Sequence, residues 1–243
     1  MHPEHVILLE EIRGDARPPP ADGFDPSAYS GSPHPSYRLS VPTMRAIGRA
    51  WLFRSKGAPP ETLISVVNSL FDGQSFEEKA LAAMLVGLSR TIRAGVRPAD
   101  IDRWLDGLIG WAEVDTLCQN AFSANDMLAD WPAWRDLFGR LARDANINKR
   151  RASLVLLTGP VHYSNDERFV RLALANIERL KGERGILITK ALSWLLRSMT
   201  GRHREAVTTY LDQNEASLPR IAVRETRAKL ETGRKGKAAG TRG

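Results

Sequence analysis

The feature that most constrains the fold is a regular spacing of apolar residues that begins at Pro42 and continues to about residue 231. Apolar residues recur at intervals of three and four, in segments that are separated by short stretches containing Gly or Pro. This spacing places them on one face of a helix. We find no convincing alternation of apolar and polar residues, so the sequence predicts an all-α protein.

The predicted helices follow one another with short turns between them. The sequence Ser75-Phe-Glu-Glu78 has the pattern of a capping box, which marks the start of one of them. A pairing of helices every ~40 residues is typical of an α-solenoid of the HEAT or armadillo type. We therefore predict antiparallel helix pairs with a concave basic groove, and a compact helical bundle is the alternative. The predicted helices cover residues 1–13, 42–57, 59–73, 75–95 and 98–108, a helix beginning at Trp111, a helix opened by residues 131–134, and residues 146–158, 165–181, 184–200, 203–214 and 219–231.

The chain divides into three parts by composition. Residues 1–36 are predicted to form a short helix and a loop rich in Pro and Gly, residues 37–232 the helical-repeat domain, and residues 233–243 a disordered basic tail. The loop contains Tyr29, and Tyr37 follows it directly. Since a solvated loop needs no tyrosine, we expect part of the segment to pack on the domain.

Charge and residue counts limit the classes of function. The net charge is +7, but four basic residues lie in the acid-free tail, so the body is only mildly basic and a polyanionic partner is allowed. A single cysteine, Cys118, excludes an internal disulfide and a cysteine metal cluster, and it is expected to be a small core residue. The five histidines lack ligand spacing, so we predict no metal and no cofactor. The chain has no apolar run that would span a bilayer, and we expect a cytoplasmic monomer, associated with the nucleoid in a bacterium.

Trp111 and Asp115 stand four residues apart in a segment that is predicted to be helical. This spacing places the indole and the carboxylate on one face of the helix, one turn apart. A ring face attracts cations, and a carboxylate stabilises developing positive charge. The pair therefore suits a substrate that is or becomes cationic. The alternative is a core tryptophan next to a solvated carboxylate.

Basic residues gather at the start of a later helix. Lys149, Arg150 and Arg151 follow Asn148 where the free backbone amides and the helix dipole already favour anions. The sequence therefore predicts a contact with phosphate at this helix end.

A second basic group surrounds a tryptophan. Lys190, Trp194 and Arg197 recur at i, i+4 and i+7, which places two cations and an indole on one helix face. A pure core has no use for two cations next to its tryptophan, whereas the pattern suits the binding of phosphates on either side of a sugar and base. The alternative is a buried Trp194 with Lys190 and Arg197 extending to solvent.

Five blocks of sequence carry a resemblance to a known family. They occur in order and with compatible spacing over roughly residues 29 to 230, and several separated blocks agree. The blocks are SYRLSVPTMRAIGRAW, WAEVD, NINKRRASLVLL, ILITKALSWLLRSM and AVRETRAKL. On these blocks the chain resembles the AlkD-like DNA alkylation repair family, whose members are HEAT-like-repeat glycosylases that remove cationic 3-alkyladenine and 7-alkylguanine from DNA.

The resemblance implies roles for particular residues. Asp115 would stabilise the oxocarbenium-like sugar and position water, while Trp111 and Trp194 would hold the deoxyribose. Duplex DNA containing alkylated purines is the implied partner. The DNA-binding residues that the resemblance implies or that the charge pattern adds are Arg151, Arg150, Lys149, Lys190, Arg197 and Tyr29.

The chain departs from the family pattern at three positions. Asn148 stands where the family commonly has Trp, Ser198 follows Arg197 where Glu is frequent, and Gly110 replaces a frequent second aromatic. These are supporting positions, so the departures bear on substrate range and rate more than on reaction type.

The implied reaction needs no general acid, because an alkylated ring nitrogen makes the base cationic and the base then departs neutral. The predicted function is that of a monofunctional DNA glycosylase in base excision repair, for which the damaged base need not be flipped into a pocket. The alternative is a non-catalytic helical-repeat scaffold that binds nucleic acid or protein. A family member specialised for one adduct is a third possibility.

Overall fold

The computed structural model describes residues 1–18 and 29–234. Within these residues the chain forms helices and no strand, and the architecture is the predicted α-solenoid. The described helices are α1 (Pro3–Gly14), α2 (Val41–Arg54), α3 (Pro60–Phe71), α4 (Phe76–Leu88), α5 (Arg90–Gly95), α6 (Pro98–Asp106), α7 (Gly110–Asn120), α8 (Ala124–Ala129), α9 (Trp131–Leu141), α10 (Ile147–Tyr163), α11 (Glu167–Leu180), α12 (Ile186–Met199), α13 (Arg204–Asn214) and α14 (Arg220–Thr232).

The helices group into two compact units. The first unit ends at Phe122 and contains α1 to α7, and the second begins at Ser123 and contains α8 to α14. Each unit buries its own set of apolar side chains. None of the helices in the described part of the chain has the length and apolar composition that crossing a bilayer requires.

The first unit is built around α4. Every residue from Ala80 to Val86 is buried, as expected for a helix that is surrounded by others. Helices α2, α3, α5 and α7 pack against it. The predicted capping box is present, since the hydroxyl of Ser75 accepts from the amide of Glu78 and the Glu78 carboxylate accepts from the amide of Ser75. This cap fixes the start of the helix on which α7 packs.

Helix α1 packs on α2, α3 and α4 and buries Leu8, Leu9 and Ile12. Val6, on the same helix, is exposed. A buried pair anchors the helix, with His5 Nε2 lying 2.7 Å from Glu78 Oε1. Burial opposes ionisation of Glu78, but hydrogen bonds from His5 and Ser75 outweigh it and lower the pKa of this carboxyl.

The second unit has two rows of helices. Helices α10, α12 and α14 pack side by side in the first row, and α9, α11 and α13 form the second. In α10 every residue from Arg151 to Thr158 is buried. Hydrogen bonds from Tyr210 to Glu178 and from Lys181 to Asn214 join α11 to α13 within the second row.

The largest differences between the predicted and the observed helix boundaries lie at two points. The helix predicted over residues 75–95 ends at Leu88, because Ser89 is extended (φ −114°, ψ 115°) and its hydroxyl caps α5 by accepting from the amide of Ile92. The helix predicted to end at residue 158 continues through Pro160 to Tyr163. Proline costs this helix one backbone hydrogen bond, but it stands in the last turn, where Val161 is fully buried.

Two predictions concern residues on which the structure gives little or no information. The loop predicted within residues 1–36 includes 19–28, which lie outside the described residues. The tail predicted to be disordered over residues 233–243 lies outside them from residue 235 onward.

Candidate functional site

Trp111 and Asp115 lie on α7, in the first unit. Val114, Leu117 and Cys118 form the buried face of this helix, whereas Trp111 and Asp115 are both half-buried. Cys118 is thus the predicted small core residue. The tryptophan is not a fully buried core residue, and one turn of helix separates it from a partly accessible carboxylate.

Tyr29 packs against Trp111. The indole Nε1 donates a 2.7 Å hydrogen bond to the backbone carbonyl of Tyr29, and the two rings meet edge to face with their centroids 5.3 Å apart. This T-shaped arrangement is favourable for aromatic pairs. Tyr29 is 69% exposed, so the two residues present an aromatic surface next to Asp115.

Two glycines allow the segment that carries Tyr29 to lie against the start of α7. Gly110 has φ +83°, in the left-handed region, and a Cβ there would overlap the backbone carbonyl of Gly31. Gly31 itself has φ +68° and lies against Gly110 and Trp111. A side chain at position 110, where the family frequently has a second aromatic residue, would therefore collide with the segment that carries Tyr29. This collision explains the glycine at this position.

Glu113 holds the same segment in place, a role that was not predicted from the sequence. Its carboxylate is 2% exposed and accepts hydrogen bonds from the hydroxyl of Ser32, from Nδ1 of His34 at 2.8 Å and from the amide of Ile109 at 2.8 Å. One side chain on α7 thus fixes residues three and five positions after Tyr29. Glu113 lies within the WAEVD block, but partners about 80 positions away leave no trace in local spacing.

A buried lysine lies close enough to influence this carboxylate. Lys79 Nζ donates a 2.9 Å hydrogen bond to the carbonyl of Phe71. Burial lowers the pKa of Lys79, and the negative charges of Glu113 and Glu78 oppose that effect. Lys79 therefore partly balances the negative charges of Glu113 and Glu78.

The basic residues at the start of α10 lie in the second unit. Lys149 is 7% exposed and Arg151 is 4% exposed. Arg151 donates from Nη1 to the carbonyl of Leu187 at 2.5 Å, and Lys149 Nζ lies 3.9 Å from Asp144 Oδ2. Asn148, the departure from the family's Trp, is also buried. Packing therefore fixes these side chains, and only a small part of each is accessible.

Arg150 has a clear structural function. It forms a two-point ion pair with Glu183, with Nε to Oε1 at 2.7 Å and Nη2 to Oε2 at 3.2 Å. Its Nη1 also donates to the carbonyls of Asp144 and Ala145, each at 2.8 Å. Arg150 thereby ties the start of α10 to the turn that precedes α12.

On α12, Lys190 is exposed while Trp194 and Arg197 are half-buried. Arg197 Nε lies 3.2 Å from Glu225 Oε2 on α14, and the hydroxyl of Ser193 donates to the same oxygen at 2.7 Å. Burial lowers the pKa of Arg197, and Glu225 opposes the effect. Arg197 therefore has an acidic partner within the unit, and its predicted contact with DNA stays a prediction.

The predicted residues therefore form one group in each unit. Tyr29, Trp111 and Asp115 lie together around α7. The others lie on α10 and α12, which pack against each other. Among the described residues no group of three His, Cys, Asp or Glu side chains could hold a metal ion. The residues of the second group are Lys149, Arg150, Arg151, Lys190, Trp194 and Arg197.

These features define an all-helical solenoid protein with an accessible pair of aromatic rings next to a carboxylate. The sequence model of the DNA alkylation repair enzyme family matches residues 26–230, and the chain belongs to this family. The resemblance found in the sequence is thus confirmed, and the family has a role in the repair of alkylated DNA, with DNA as its partner.

A solved structure gives independent support for the fold. The chain is similar to a predicted DNA alkylation repair enzyme from Enterococcus faecalis, with 20% sequence identity and a TM-score of 0.65 over 85% of this chain and 93% of that one. No curated protein sequence matches the chain.

Proposed function

We propose that the protein is a monofunctional DNA glycosylase that hydrolyses the N-glycosidic bond of 3-alkyladenine and 7-alkylguanine in duplex DNA. The observation that carries the proposal is the placement of Trp111 and Asp115 one turn apart on α7, both partly accessible, with Tyr29 against the indole. Membership of the DNA alkylation repair enzyme family sets the substrate class as alkylated DNA.

The chemistry requires only one carboxylate. As the bond between C1′ and the purine nitrogen breaks, its electron pair neutralises the cationic base, which leaves without protonation. The sugar becomes oxocarbenium-like, and the carboxylate of Asp115 stabilises this charge. A water molecule oriented by Asp115 then forms the new bond to C1′ and passes one of its protons to the Asp115 carboxylate, which later releases the proton to solvent. The product is an abasic site.

Aromatic rings are suited to the same transition state. The face of Trp111 attracts the positive charge that develops on the sugar, by ~1 kcal/mol at an exposed site and more once water is excluded. Tyr29 limits the motion of the Trp111 ring through its carbonyl and its own ring. The indole is therefore held in place before substrate binds, which reduces the entropy lost on binding.

Basic residues of α10 and α12 would bind the DNA backbone. Lys190 is exposed and suited to a direct phosphate contact. Arg151 is held by the carbonyl of Leu187, so its guanidinium is oriented in advance. Lys149, Arg150 and Arg197 support them, and Arg150 and Arg197 contribute through the ion pairs that fix the two helices.

The decisive experiment is incubation of the purified protein with methylated duplex DNA, followed by mass spectrometric identification of any released base. We expect free 7-methylguanine and 3-methyladenine, together with abasic sites in the DNA. Binding to methylated DNA without release of any base would contradict the proposal and favour a non-catalytic scaffold.

A further inference from the structure

The segment that carries Tyr29 contacts two side chains of α7 that project from different sides of the helix. Trp111 contacts Tyr29 itself, and Glu113 contacts Ser32 and His34. Side chains two positions apart on a helix point about 200° away from each other, because one turn takes about 3.6 residues. The segment reaches both side chains by crossing the start of the helix. The burial agrees with this path, since Trp111 is half-buried whereas Glu113 is 2% exposed.

The crossing occurs where two glycines face each other. A Cβ at Gly31 would lie 3.6 Å from the Cα of Gly110, and a Cβ at Gly110 would overlap the backbone of Gly31 and Ser30. Backbone therefore lies directly on backbone at this point. The segment passes over the first turn of α7, with Trp111 on one side of the crossing and Glu113 on the other.

Glu113 fastens the segment after the crossing. Its Oε1 accepts from the hydroxyl of Ser32 and, at 2.8 Å, from Nδ1 of His34, while its Oε2 accepts from the amide of Ile109 at 2.8 Å. The hydroxyl of Ser32 also accepts from the amide of His34 at 3.1 Å. The carboxylate thus joins the segment to the residue that precedes α7. Buried polar groups are costly to leave without partners, so this attachment is firm.

A second buried carboxylate binds the same segment further along the chain. Glu77 on α4 is 1% exposed and accepts from the hydroxyl of Ser36 at 2.8 Å and from two backbone amides at 2.9 and 3.3 Å. The partners of Glu113 lie three and five positions after Tyr29, whereas those of Glu77 lie seven or more positions after it. The two carboxylates therefore hold different parts of the segment, and Glu113 holds the part next to Tyr29.

The position of Tyr29 decides how the indole is held. Tyr29 binds Trp111 through the hydrogen bond to its carbonyl and through the contact of the two rings. Its own side chain is largely exposed, so burial in the core contributes little to its position. Tyr29 is held instead through the residues that follow it, by the crossing and by the attachment to Glu113.

We propose that Glu113 is a positioning residue of base release, which holds the segment across the start of α7 and thereby fixes the indole of Trp111 against the sugar. This inference rests on the glycosylase function proposed above. Glu113 is too deeply buried to touch DNA, and it acts through Trp111. A displacement of about 1 Å in an active site can lower the rate about 100-fold. Phosphate contacts made by other helices remain, so the effect falls on kcat and not on KM.

The test compares the same substitution at the two buried carboxylates. Glu113→Leu keeps the bulk of the side chain and removes both acceptor oxygens, and Glu77→Leu does the same at the second attachment. Release of 7-methylguanine from methylated duplex DNA gives kcat and KM for each variant. We expect kcat of Glu113→Leu to fall between about 10- and 100-fold, with KM within about twofold of the wild-type value. Glu77→Leu should leave both constants close to those of the wild-type protein.

A spectroscopic measurement reports on Trp111 without base release. The chain contains six tryptophans, and in protein labelled with fluorotryptophan the resonance that disappears in Trp111→Phe belongs to Trp111. We expect this fluorine resonance to shift or broaden in Glu113→Leu, because the ring loses its fixed surroundings. The resonance of Trp194, in the second unit, should stay unchanged. Glu77→Leu should leave both resonances unchanged.

A milder variant keeps the test decisive if Glu113→Leu does not fold. His34 is only half-buried, and His34→Ala removes one contact while Ser32 and Ile109 still donate to the carboxylate. We expect kcat to fall about fivefold, the effect of one hydrogen bond, with KM unchanged. The Trp111 resonance should move in the same direction as in Glu113→Leu, and by less.

Three outcomes would overturn the proposal. The first is an unchanged kcat or an unchanged Trp111 resonance in Glu113→Leu and His34→Ala. The second is an equal fall of kcat in Glu77→Leu, which would reflect a general loosening of the segment. The third is a rise of KM alone, which would assign Glu113 to DNA binding. Failure of the glycosylase proposal would look different, since the wild-type protein would release no base while the Trp111 resonance still responded to Glu113→Leu.

Discussion

Trp111 and Tyr29 hold each other through two contacts, a 2.7 Å hydrogen bond from the indole Nε1 to the tyrosine carbonyl and an edge-to-face packing of the rings at 5.3 Å. The hydrogen bond fixes the direction of the indole plane, and the ring contact fixes its position. The orientation of Trp111 is therefore coupled to a segment 82 positions earlier in the chain.

Replacing Trp111 by Phe tests this coupling. The variant keeps an aromatic ring but loses the donor, and a hydrogen bond of this kind is worth about 1 kcal/mol, so we expect kcat/KM for 7-methylguanine release to fall about fivefold. The control is Trp131→Phe on α9, where the indole packs edge to face on Phe169. Equal kcat/KM values for Trp111→Phe and the wild-type protein would show that the hydrogen bond has no role in the reaction.

Asp115→Asn tests the catalytic carboxylate. The substitution keeps the size of the side chain and removes its charge, so we expect base release to fall by at least ~100-fold, the effect of losing one electrostatic group that acts in the transition state. Binding to methylated duplex DNA should remain within about twofold, because Asp115 is not proposed to contact phosphates. Asp212→Asn, at an exposed position of α13, serves as the control. Normal release by Asp115→Asn would remove this residue from the mechanism.

Gly110→Ala tests the requirement for a left-handed residue at the start of α7. A Cβ there would overlap the carbonyl of Gly31 and hold φ in an unfavourable region, so we expect a loss of about 1 to 3 kcal/mol in the free energy of unfolding and slower base release. Gly159→Ala is the matched control, because a Cβ at this helical position meets no atom within 4 Å. This substitution should raise the free energy of unfolding by about 0.5 to 1 kcal/mol. Urea denaturation of both variants gives the comparison, and equal stability of Gly110→Ala and the wild-type protein would contradict the structural argument.

The sequence was sufficient to predict the helices because their signals are local. The spacing of apolar residues by three and four predicted most ends of five helices to within about two residues, namely those of α9, α11, α12, α13 and α14. The capping box predicted the start of α4. The break at Ser89 was missed because the apolar pattern continues across it. The short helix α8 was missed because six residues are too few to show a period.

The functional arrangement was less accessible from sequence, because it depends on contacts between distant positions. Trp111 and Asp115 could be paired by helical spacing alone, whereas the partners of Glu113, which are Ser32 and His34, could not. Arg197 seemed a free cation on α12 until its partner Glu225, on the next helix of the row, was known. Periodicity predicts what shares a helix face, and only the fold shows what packs against that face.

The buried pair of His5 and Glu78 predicts a pH dependence of stability. Because the pKa of Glu78 is lowered in the folded protein, its interactions stabilise the fold above the ordinary carboxyl value of 4.5 and are lost as the pH falls below it. Glu78→Gln removes the charge at all pH values, so we expect it to reduce the free energy of unfolding on the order of 2 kcal/mol at pH 7.

The measurement is urea denaturation of both proteins from pH 7 downward. The difference between wild type and Glu78→Gln should shrink as the pH falls below 4.5. Glu205→Gln, on the exposed surface of α13, is the control and should match the wild-type protein throughout. A difference that stays constant with pH would mean that the charge of Glu78 does not contribute to stability.

Arg151→Gln tests the proposed DNA contact on α10. Loss of one phosphate contact should weaken binding and lower the slope of log K against log salt by about 0.9, whereas Arg184→Gln, at an exposed position before α12, should leave the slope unchanged. An unaltered slope in Arg151→Gln would mean that Arg151 does not bind DNA.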